Sequence, residues 1–413
     1  MVLYPTSFSE NAMAWTRRRW IAATGAAAAA ASAPASFGTA AATAPPPLPP
    51  PLKPEVFRER QARLKAAAKA RGLDVVVVTP STNLTYIAGL TMGRSERLTT
   101  LLLFPDGPSL LVTPSFEEGV VRREAVMDEL QTWKEEEDPV TLVVKALGKS
   151  GRIGLEGSTA YSTAALLSAA APGKMEDATA LFDSLRMVKS PEEFVLLRDA
   201  GHRAVLALAA THKRLRKGIT EREVSHMLEQ EFSNLLVQGG GLVQFGPSAA
   251  LPHGSPGDRR LAKGDVVLID CGCRVRGYTS DVTRTIAFGP PVDEIRKVYA
   301  AVDRAQVAGI ETLRAGKTGE EVDRAARKVI EEAGYGQFFT HRLGHGLGLD
   351  GHEPPYLVRG NRTPLAAGNT VTVEPGIYLP DRFGVRIEDD YGVQEGNPVS
   401  LSVRPSELAV LEA

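Results

Sequence analysis

The stretch Gly264-Asp-Val-Val-Leu-Ile-Asp270-Cys-Gly-Cys-Arg-Val-Arg-Gly277-Tyr-Thr-Ser-Asp281-Val-Thr-Arg-Thr285 decides how this chain folds. Two runs rich in β-branched residues flank a short Arg/Gly turn, which is the composition of a β-hairpin. Each arm carries one carboxylate, Asp270 and Asp281. A second stretch has the same build: Gly368-Asn-Thr-Val-Thr-Val-Glu374 and Gly384-Val-Arg-Ile-Glu388 lie on either side of the turn-rich Pro380-Asp-Arg-Phe383. Gly264 to Asp270 and Gly368 to Glu374 are both six steps, and Gly277 to Asp281 and Gly384 to Glu388 are both four. Upstream, Leu215-Arg-x-Gly218-x-Thr220-x-x-Glu223-Val224 recurs as Leu313-Arg-x-Gly316-x-Thr318-x-x-Glu321-Val322. In each copy Thr-x-x-Glu is a capping box that opens a helix. Helices followed by a carboxylate hairpin, twice over, predict an internal duplication in an α+β domain, with the two halves facing each other across a pseudo-twofold axis.

Acids brought together in this way need a counter-charge. Unit charges about 4 Å apart repel by roughly 4 kcal/mol at an effective dielectric near 20. A lone Asp in a turn or Glu at a strand end is ordinarily a surface residue. Asp270 and Glu374, however, each follow a run of apolar and Thr residues, where an acid is rarely buried unless it is paired or bound to metal. Two divalent ions would balance four carboxylates charge for charge, and the neutral imidazole of His345 would complete the shell. Oxygen-rich ligation with one nitrogen suits Mn²⁺ and is also compatible with Co²⁺, Zn²⁺ or Fe²⁺.

Four segments carry a resemblance: Asp270-x-Gly-x-x-x-x-Gly277-Tyr-x-Ser-Asp281-x-Thr-Arg-Thr285, His341-Arg-Leu-Gly-His345-Gly-Leu-Gly-Leu-Asp-Gly-His352-Glu-Pro-Pro355, Val373-Glu-Pro-Gly-Ile-Tyr378, and Gly384-Val-Arg-Ile-Glu388-Asp389. Together they resemble the pita-bread metallopeptidases, the group of aminopeptidase P, prolidase and methionine aminopeptidase. The likeness runs from about Phe57 to Ala413 and is closest to the Xaa-Pro aminopeptidase and Xaa-Pro dipeptidase branch. It implies a creatinase/prolidase-like α/β N-terminal domain over 55–187 and a pita-bread catalytic domain over 188–413. It also implies that Asp270 chelates one ion, that Asp281 and Glu388 bridge both, and that His345 and Glu374 bind the other, with Glu374 doubling as general base. His253, in Leu251-Pro-His253-Gly, matches a loop histidine that contacts substrate near the scissile bond. His352 matches one that stabilises the transition state or shuttles a proton. His341 resembles a further pocket histidine; Gly344 and Gly346 argue against a helix that would put His341 and His345 on one face as a ligand pair. Arg386 precedes Glu388 by two, so strand alternation points it to the same side, where a guanidinium would orient carboxylates.

Other residues read as structural. His202, His212 and His226 fall in helical stretches, and Tyr278 and Thr283 suit packing on a sheet. Cys271 and Cys273 point away from the side that Asp270 faces and read as small buried hydrophobes.

The N-terminus bears on compartment. Thr16-Arg17-Arg18-Arg19-Trp20-Ile21 precedes a mildly apolar Ala-rich run, which resembles a twin-arginine export signal over 1–44, with cleavage after Ala35 or Ala42. The run is too interrupted by Gly, Ser and Pro for a stable membrane span once the signal is cleaved. Pro45–Pro54 is a polyproline linker. Beyond it a helix to about Arg71 and the runs Leu73–Val78, Thr100–Phe104 and Ser109–Val112 alternate in α/β fashion. Ser190-Pro191-Glu192 opens the first long helix of the second domain.

With 413 residues, 43% apolar content and a net charge of −1, the chain can fill two cores and offers no basic surface for nucleic acid. No phosphate-cradling glycine loop, serine nucleophile elbow or iron–sulfur spacing is present. The sequence therefore points first to a dinuclear Xaa-Pro aminopeptidase acting on peptides with Pro at the second position. The alternatives are a prolidase that splits Xaa-Pro dipeptides, a metal-bearing creatinase-like hydrolase or lyase acting on a small non-peptide, and a non-catalytic binding module, against which the full ligand set speaks. The resemblance further implies a homodimer or higher homo-oligomer.

Overall fold

The computed structural model describes residues 45–413, so the export signal expected over 1–44 lies outside the described residues. The first helix, α1 (Pro54–Ala70), begins at the last proline of the linker, one residue before the expected domain start. Proline at a first helical position gives up no hydrogen bond and has its φ preset for the helix. The Val-Val-Val-Val run forms β1 (Val75–Val78), buried on both faces. It lies inside a six-stranded sheet ordered β4-β3-β2-β1-β5-β6, made with β2 (Thr100–Leu103), β3 (Ser109–Pro114), β4 (Glu129–Trp133), β5 (Arg152–Leu155) and β6 (Lys174–Asp177). β1 runs antiparallel to β2 and parallel to β5. Helices α2 (Thr82–Ala88), α3 (Glu118–Glu124), α4 (Pro139–Leu147), α5 (Tyr161–Ala170) and α6 (Thr179–Arg186) complete this α/β part. Its core includes Val75, Val77, Leu102, Val112, Trp133 and Ile153.

The second core belongs to the duplicated part. α7 (Pro191–His212) opens on a capping box of Ser190 and Glu193. α8 (Glu221–Asn234) and α10 (Gly319–Glu332) open on the two expected boxes, Thr220/Glu223 and Thr318/Glu321; α9 (Asp293–Thr312) precedes α10. The repeat extends to the backbone. Gly218 and Gly316 both have φ of 83°, and Gly264 and Gly368 have 93° and 94°, left-handed values that favour glycine. Thr220 bridges Arg260 as Thr318 bridges Pro364.

The first half supplies β7 (Gln238–Phe245), β8 (Val266–Val275), β9 (Tyr278–Thr279) and β10 (Val282–Phe288). The second supplies β11 (Gly344–Gly346), β12 (Glu353–Leu357), β13 (Thr370–Val373), β14 (Gly376–Leu379), β15 (Phe383–Arg386), β16 (Asp389–Gly392) and β17 (Val399–Ser400). A last strand, β18 (Val410–Leu411), returns to the edge of β10. The sheets are ordered β18-β10-β8-β7, β12-β11-β13-β16-β17 and β14-β15.

In the first hairpin Asp270 pairs with Thr283 across β8 and β10. Its tip is the two-residue turn Arg276-Gly277, with φ of 52° and 90°, the mirror-image turn type whose twist suits a hairpin. The second hairpin departs from two continuous arms. β13 pairs with β16 and β14 with β15, and the ladder breaks at Glu374-Pro375 opposite Ile387-Glu388. Pro375 has no N–H to donate, so the ladder is interrupted there, and the break leaves both acids free of regular strand geometry.

One cluster unites Val298 and Val302 of α9, Val322 and Ala326 of α10, and Leu268, Val371, Val373, Val385 and Ile387 of the strands. Residues 48–413 pack as one compact unit with these two cores. No helix among the described residues is long and apolar enough to cross a membrane.

Candidate metal centre

Each expected ligand stands at a special point of the scaffold. Asp270 lies within β8, and Asp281 just ahead of β10, where its N–H donates to Asp390 Oδ2 at 3.0 Å. His345 is the middle residue of β11, between two glycines. A Cβ at Gly344 would sit 2.0 Å from the Thr372 carbonyl oxygen, so only glycine lets β11 approach β13 this closely. Glu374 and Glu388 occupy the break in the second hairpin.

These five side chains converge. Asp270, Asp281 and Glu388 offer oxygens within 4.8 Å of one another, and His345, Glu374 and Glu388 form a second such group that shares Glu388. Asp281 also reaches the second group, since His345 Nε2 lies 3.7 Å from Asp281 Oδ2 and 3.3 Å from Glu374 Oε1. Asp281, His345 and His352 form a third close set.

The electrostatics of the cluster favour a cationic occupant. Burial, and then the neighbouring acids Asp270 and Asp281 respectively, hold the Asp281 and Glu388 carboxyls well above the ordinary range. Burial likewise pushes Glu374 up to about 8, against the pull of Arg386. His345 is driven down to about 3, by burial first and the adjacent His352 second, and is therefore neutral. Its Nδ1, 3.1 Å from the Gly346 carbonyl, is placed to donate there, which turns the Nε2 lone pair toward the acids. Four carboxylates and a neutral imidazole are a donor set that fits two oxygen-preferring divalent cations. Without such charge the acids could ionise together only at high cost.

A tier of hydrogen bonds holds the ligands. Arg386 donates from Nη2 to Asp270 Oδ2 at 2.6 Å, from Nη1 to the Tyr378 hydroxyl at 2.8 Å and from Nε to Thr283 Oγ1 at 3.1 Å. Its Nε is 3.9 Å from Glu388 Oε2, so the alternation reading of Arg386 places it correctly even though the strand ends there. Thr283 donates to Glu388 Oε2 at 2.6 Å and Thr372 to Glu374 Oε1 at 3.1 Å.

His253, His341 and His352 line the same cavity of about 410 Å³ as the five ligands and Arg386. His341 belongs to none of these close sets: its Nε2 meets the Tyr378 hydroxyl at 2.8 Å and its Nδ1 the Arg342 carbonyl at 2.7 Å, so both nitrogens are engaged. Burial lowers it to about 4. His352 stacks near His345, with ring centroids 3.9 Å apart, and its pKa is lowered by burial and then by Arg342. The adjacent Glu353 is clamped by Lys189 Nζ at 2.6 Å and by Arg186, fixing the loop that carries His352.

Several participants escaped the reading of the sequence. Thr283, read as packing, donates to Glu388. Thr372 was legible, being two before Glu374 on an alternating strand. Tyr378, Asp390 and Arg342 come from segments whose register no local pattern reveals. Tyr278 lies outside the cavity, in a buried chain from Arg60 Nη2 (2.8 Å) to Glu193 Oε1 (2.9 Å). Cys271 and Cys273 are buried free thiols, and Cys273 Sγ turns to the Ala200 carbonyl of α7, away from the acids.

Comparison with known proteins agrees with this architecture. Residues 195–395 match the model of metallopeptidase family M24, and residues 60–188 that of the creatinase/prolidase N-terminal domain. Among solved structures, dipeptidase PepE of Mycobacterium ulcerans is 35% identical, with a TM-score of 0.82 over 88% of this chain and 100% of that one. The Xaa-Pro dipeptidase of Bacillus anthracis is 32% identical, with a TM-score of 0.81 over 86% and 100%. The X-Pro aminopeptidase of Thermotoga maritima is 31% identical, with a TM-score of 0.76 over 85% and 99%.

Proposed function

This chain belongs to metallopeptidase family M24, and from that premise we propose that it is a dinuclear exopeptidase that hydrolyses the bond between an N-terminal residue and proline, with Xaa-Pro dipeptides as its preferred substrates. The observation that carries the reading is the pair of ligand groups sharing Glu388. Sequence alone put the aminopeptidase first. Two of the three neighbours described above bear dipeptidase names, which moves the weight to the dipeptidase; the Thermotoga maritima neighbour supports the aminopeptidase as the second reading.

Asp270, Asp281 and Glu388 would hold one cation and His345, Glu374, Asp281 and Glu388 the other, and we propose Mn²⁺ in both places on the strength of the oxygen-rich set. Bound divalent cations would acidify the water nucleophile and polarise the scissile carbonyl. Glu374 takes a proton from that water as the hydroxyl adds to the acyl carbon, and returns it to the proline nitrogen as the C–N bond breaks. His352 and His253 flank the reacting carbonyl and donate to its oxygen as charge develops there. Arg386 orients Asp270 through its hydrogen bond to Oδ2.

The test is release of free amino acid from Ala-Pro and from Ala-Pro-Ala by protein stripped and reloaded with Mn²⁺. Turnover of Ala-Pro that depends on metal is expected, with the tripeptide poorer. Equal inertness toward both peptides with metal bound would refute the assignment. We also propose export and a homo-oligomer. Replacing Arg17 and Arg18 by lysine should trap the precursor in the cytoplasm of its host, and unaltered export would exclude the twin-arginine route.

A further inference from the structure

His352 lines the catalytic cavity from the turn that joins β11 to β12, and little of its own holds it there. The residue is exposed, and among the described residues its imidazole takes part in no hydrogen bond; its close neighbour is the ring of His345, 3.9 Å away between centroids. A Cβ added to the preceding Gly351 would meet nothing within 4 Å, so packing does not pin the turn at that point either. The place of the ring is therefore set by the backbone on its two sides. Asp350 stands two residues before it and Glu353 directly after it.

One guanidinium reaches both flanks. Arg186, at the end of α6, is buried, and its Nη2 donates to Asp350 Oδ2 at 2.6 Å and to Glu353 Oε2. Lys189 donates to Glu353 Oε1 at 2.6 Å and Thr82 Oγ1 to Asp350 Oδ1 at 2.7 Å, but each of these touches a single flank. Burial works against the charge on Arg186, yet Glu353 and then Asp350 hold its pKa above the ordinary arginine value. The group is also fixed from behind. Its Nη1 donates to Asn83 Oδ1 at 3.0 Å, Asn83 Nδ2 donates to Glu156 Oε2 at 3.0 Å, and the Glu156 N–H donates to the Val77 carbonyl of β1 at 3.1 Å. A chain of hydrogen bonds thus runs from the six-stranded sheet to both sides of His352. A planar guanidinium can hold two carboxylates at a set separation, which a compact ammonium on a flexible stem does less well.

Resting on the reading of this cavity as an Xaa-Pro peptidase site in which His352 meets the reacting carbonyl, we infer that Arg186 is a positioning residue: by joining Asp350 to Glu353 it fixes the turn between them and sets the His352 ring over the ligand cluster. In this role Arg186 breaks no bond and moves no proton. It governs whether His352 stands where the carbonyl oxygen can be reached, and a misplacement of about 1 Å at such a group costs on the order of 100-fold in rate.

The experiment measures kcat and KM for Ala-Pro in the Mn²⁺-loaded full chain, at equal manganese content, for the native protein, Arg186→Gln, Arg186→Lys, His352→Ala and the double variant Arg186→Gln/His352→Ala. Crystal structures of the native protein and of Arg186→Gln in one crystal form give the separation of the His345 and His352 rings without reference to activity. Arg186→Gln should lower kcat by about 10- to 100-fold, with KM changed less than kcat. Arg186→Lys should recover part of that loss, and in Arg186→Gln the His352 ring should leave its place against His345. In the His352→Ala background the Arg186→Gln change should cost less than about 2-fold, because two residues that act through one group are not additive. Asp350→Asn, which leaves Arg186 paired with the buried Glu353, carries the same cycle and the same crystal comparison if Arg186→Gln does not fold. Losses that multiply in the double variant, or a His352 ring that stays in place without its partner, would overturn the inference and leave the peptidase reading intact. A native protein inert toward every Xaa-Pro peptide, with the ring still displaced in Arg186→Gln, would instead overturn the peptidase reading and keep the positioning role.

Discussion

Glu374 has two duties in this account, ligand and proton carrier, and its surroundings suit both. Burial raises its proton affinity, while Thr372 fixes one of its oxygens and His345 faces the same one. Substituting Glu374 by Gln preserves shape and removes the base. kcat for Ala-Pro should fall by about 10³-fold or more with the circular-dichroism spectrum unchanged, and a variant that keeps over a tenth of kcat would show that the proton goes elsewhere. At this scale the sequence was generous with residues whose chemistry is repeated. The four acids announced themselves through matched glycine-to-acid spacings, and His345 through its glycine-flanked motif. It was silent on Arg342, Tyr378 and Asp390, because a lone residue of ordinary type signals nothing until the fold shows what it faces.

Among the elements, the helices were the most legible, since a capping box is local chemistry and each Thr-x-x-Glu opens a helix as expected. The second hairpin was less so. Alternation gave its strands and their direction, but the break at Pro375 moves Glu374 and Glu388 out of the ladder, and only the registers of β13 with β16 and β14 with β15 show it. At the end of α7, His212 is buried with its Nε2 lacking a hydrogen-bond partner, and its pKa falls from 6.5 to about 4, through burial first and Arg284 second. The unfolded chain therefore takes up this proton before the folded one does. Stability from this group is complete above pH 6.5, declines as pH falls below it, and is lost by about pH 4. Relative to the native protein, His212→Leu should flatten urea-unfolding stability across that window by about 3 kcal/mol. Parallel curves for the two proteins would mean that the site is hydrated or relaxes on protonation.

At the scale of the whole molecule, buried ion pairs join the α/β part to the catalytic part. Arg60 of α1 reaches Glu193 of α7 and Tyr278 beside the first hairpin, and Arg186 and Lys189 grip Glu353 beside His352. No spacing in the sequence announces such long-range pairs, because each partner lies on a different element. The duplication, by contrast, was visible in the paired capping boxes and glycine-to-acid spacings, and with it the expectation that acids from both halves converge. The measurement closest to that claim is the metal content and anomalous scattering of crystals of the full chain equilibrated with Mn²⁺. The account predicts two manganese ions per chain, both ligated by Glu388 and Asp281, with the second site lost in Glu388→Gln. A single ion, none, or ions bound away from these five side chains in a protein that still cleaves Ala-Pro would contradict it.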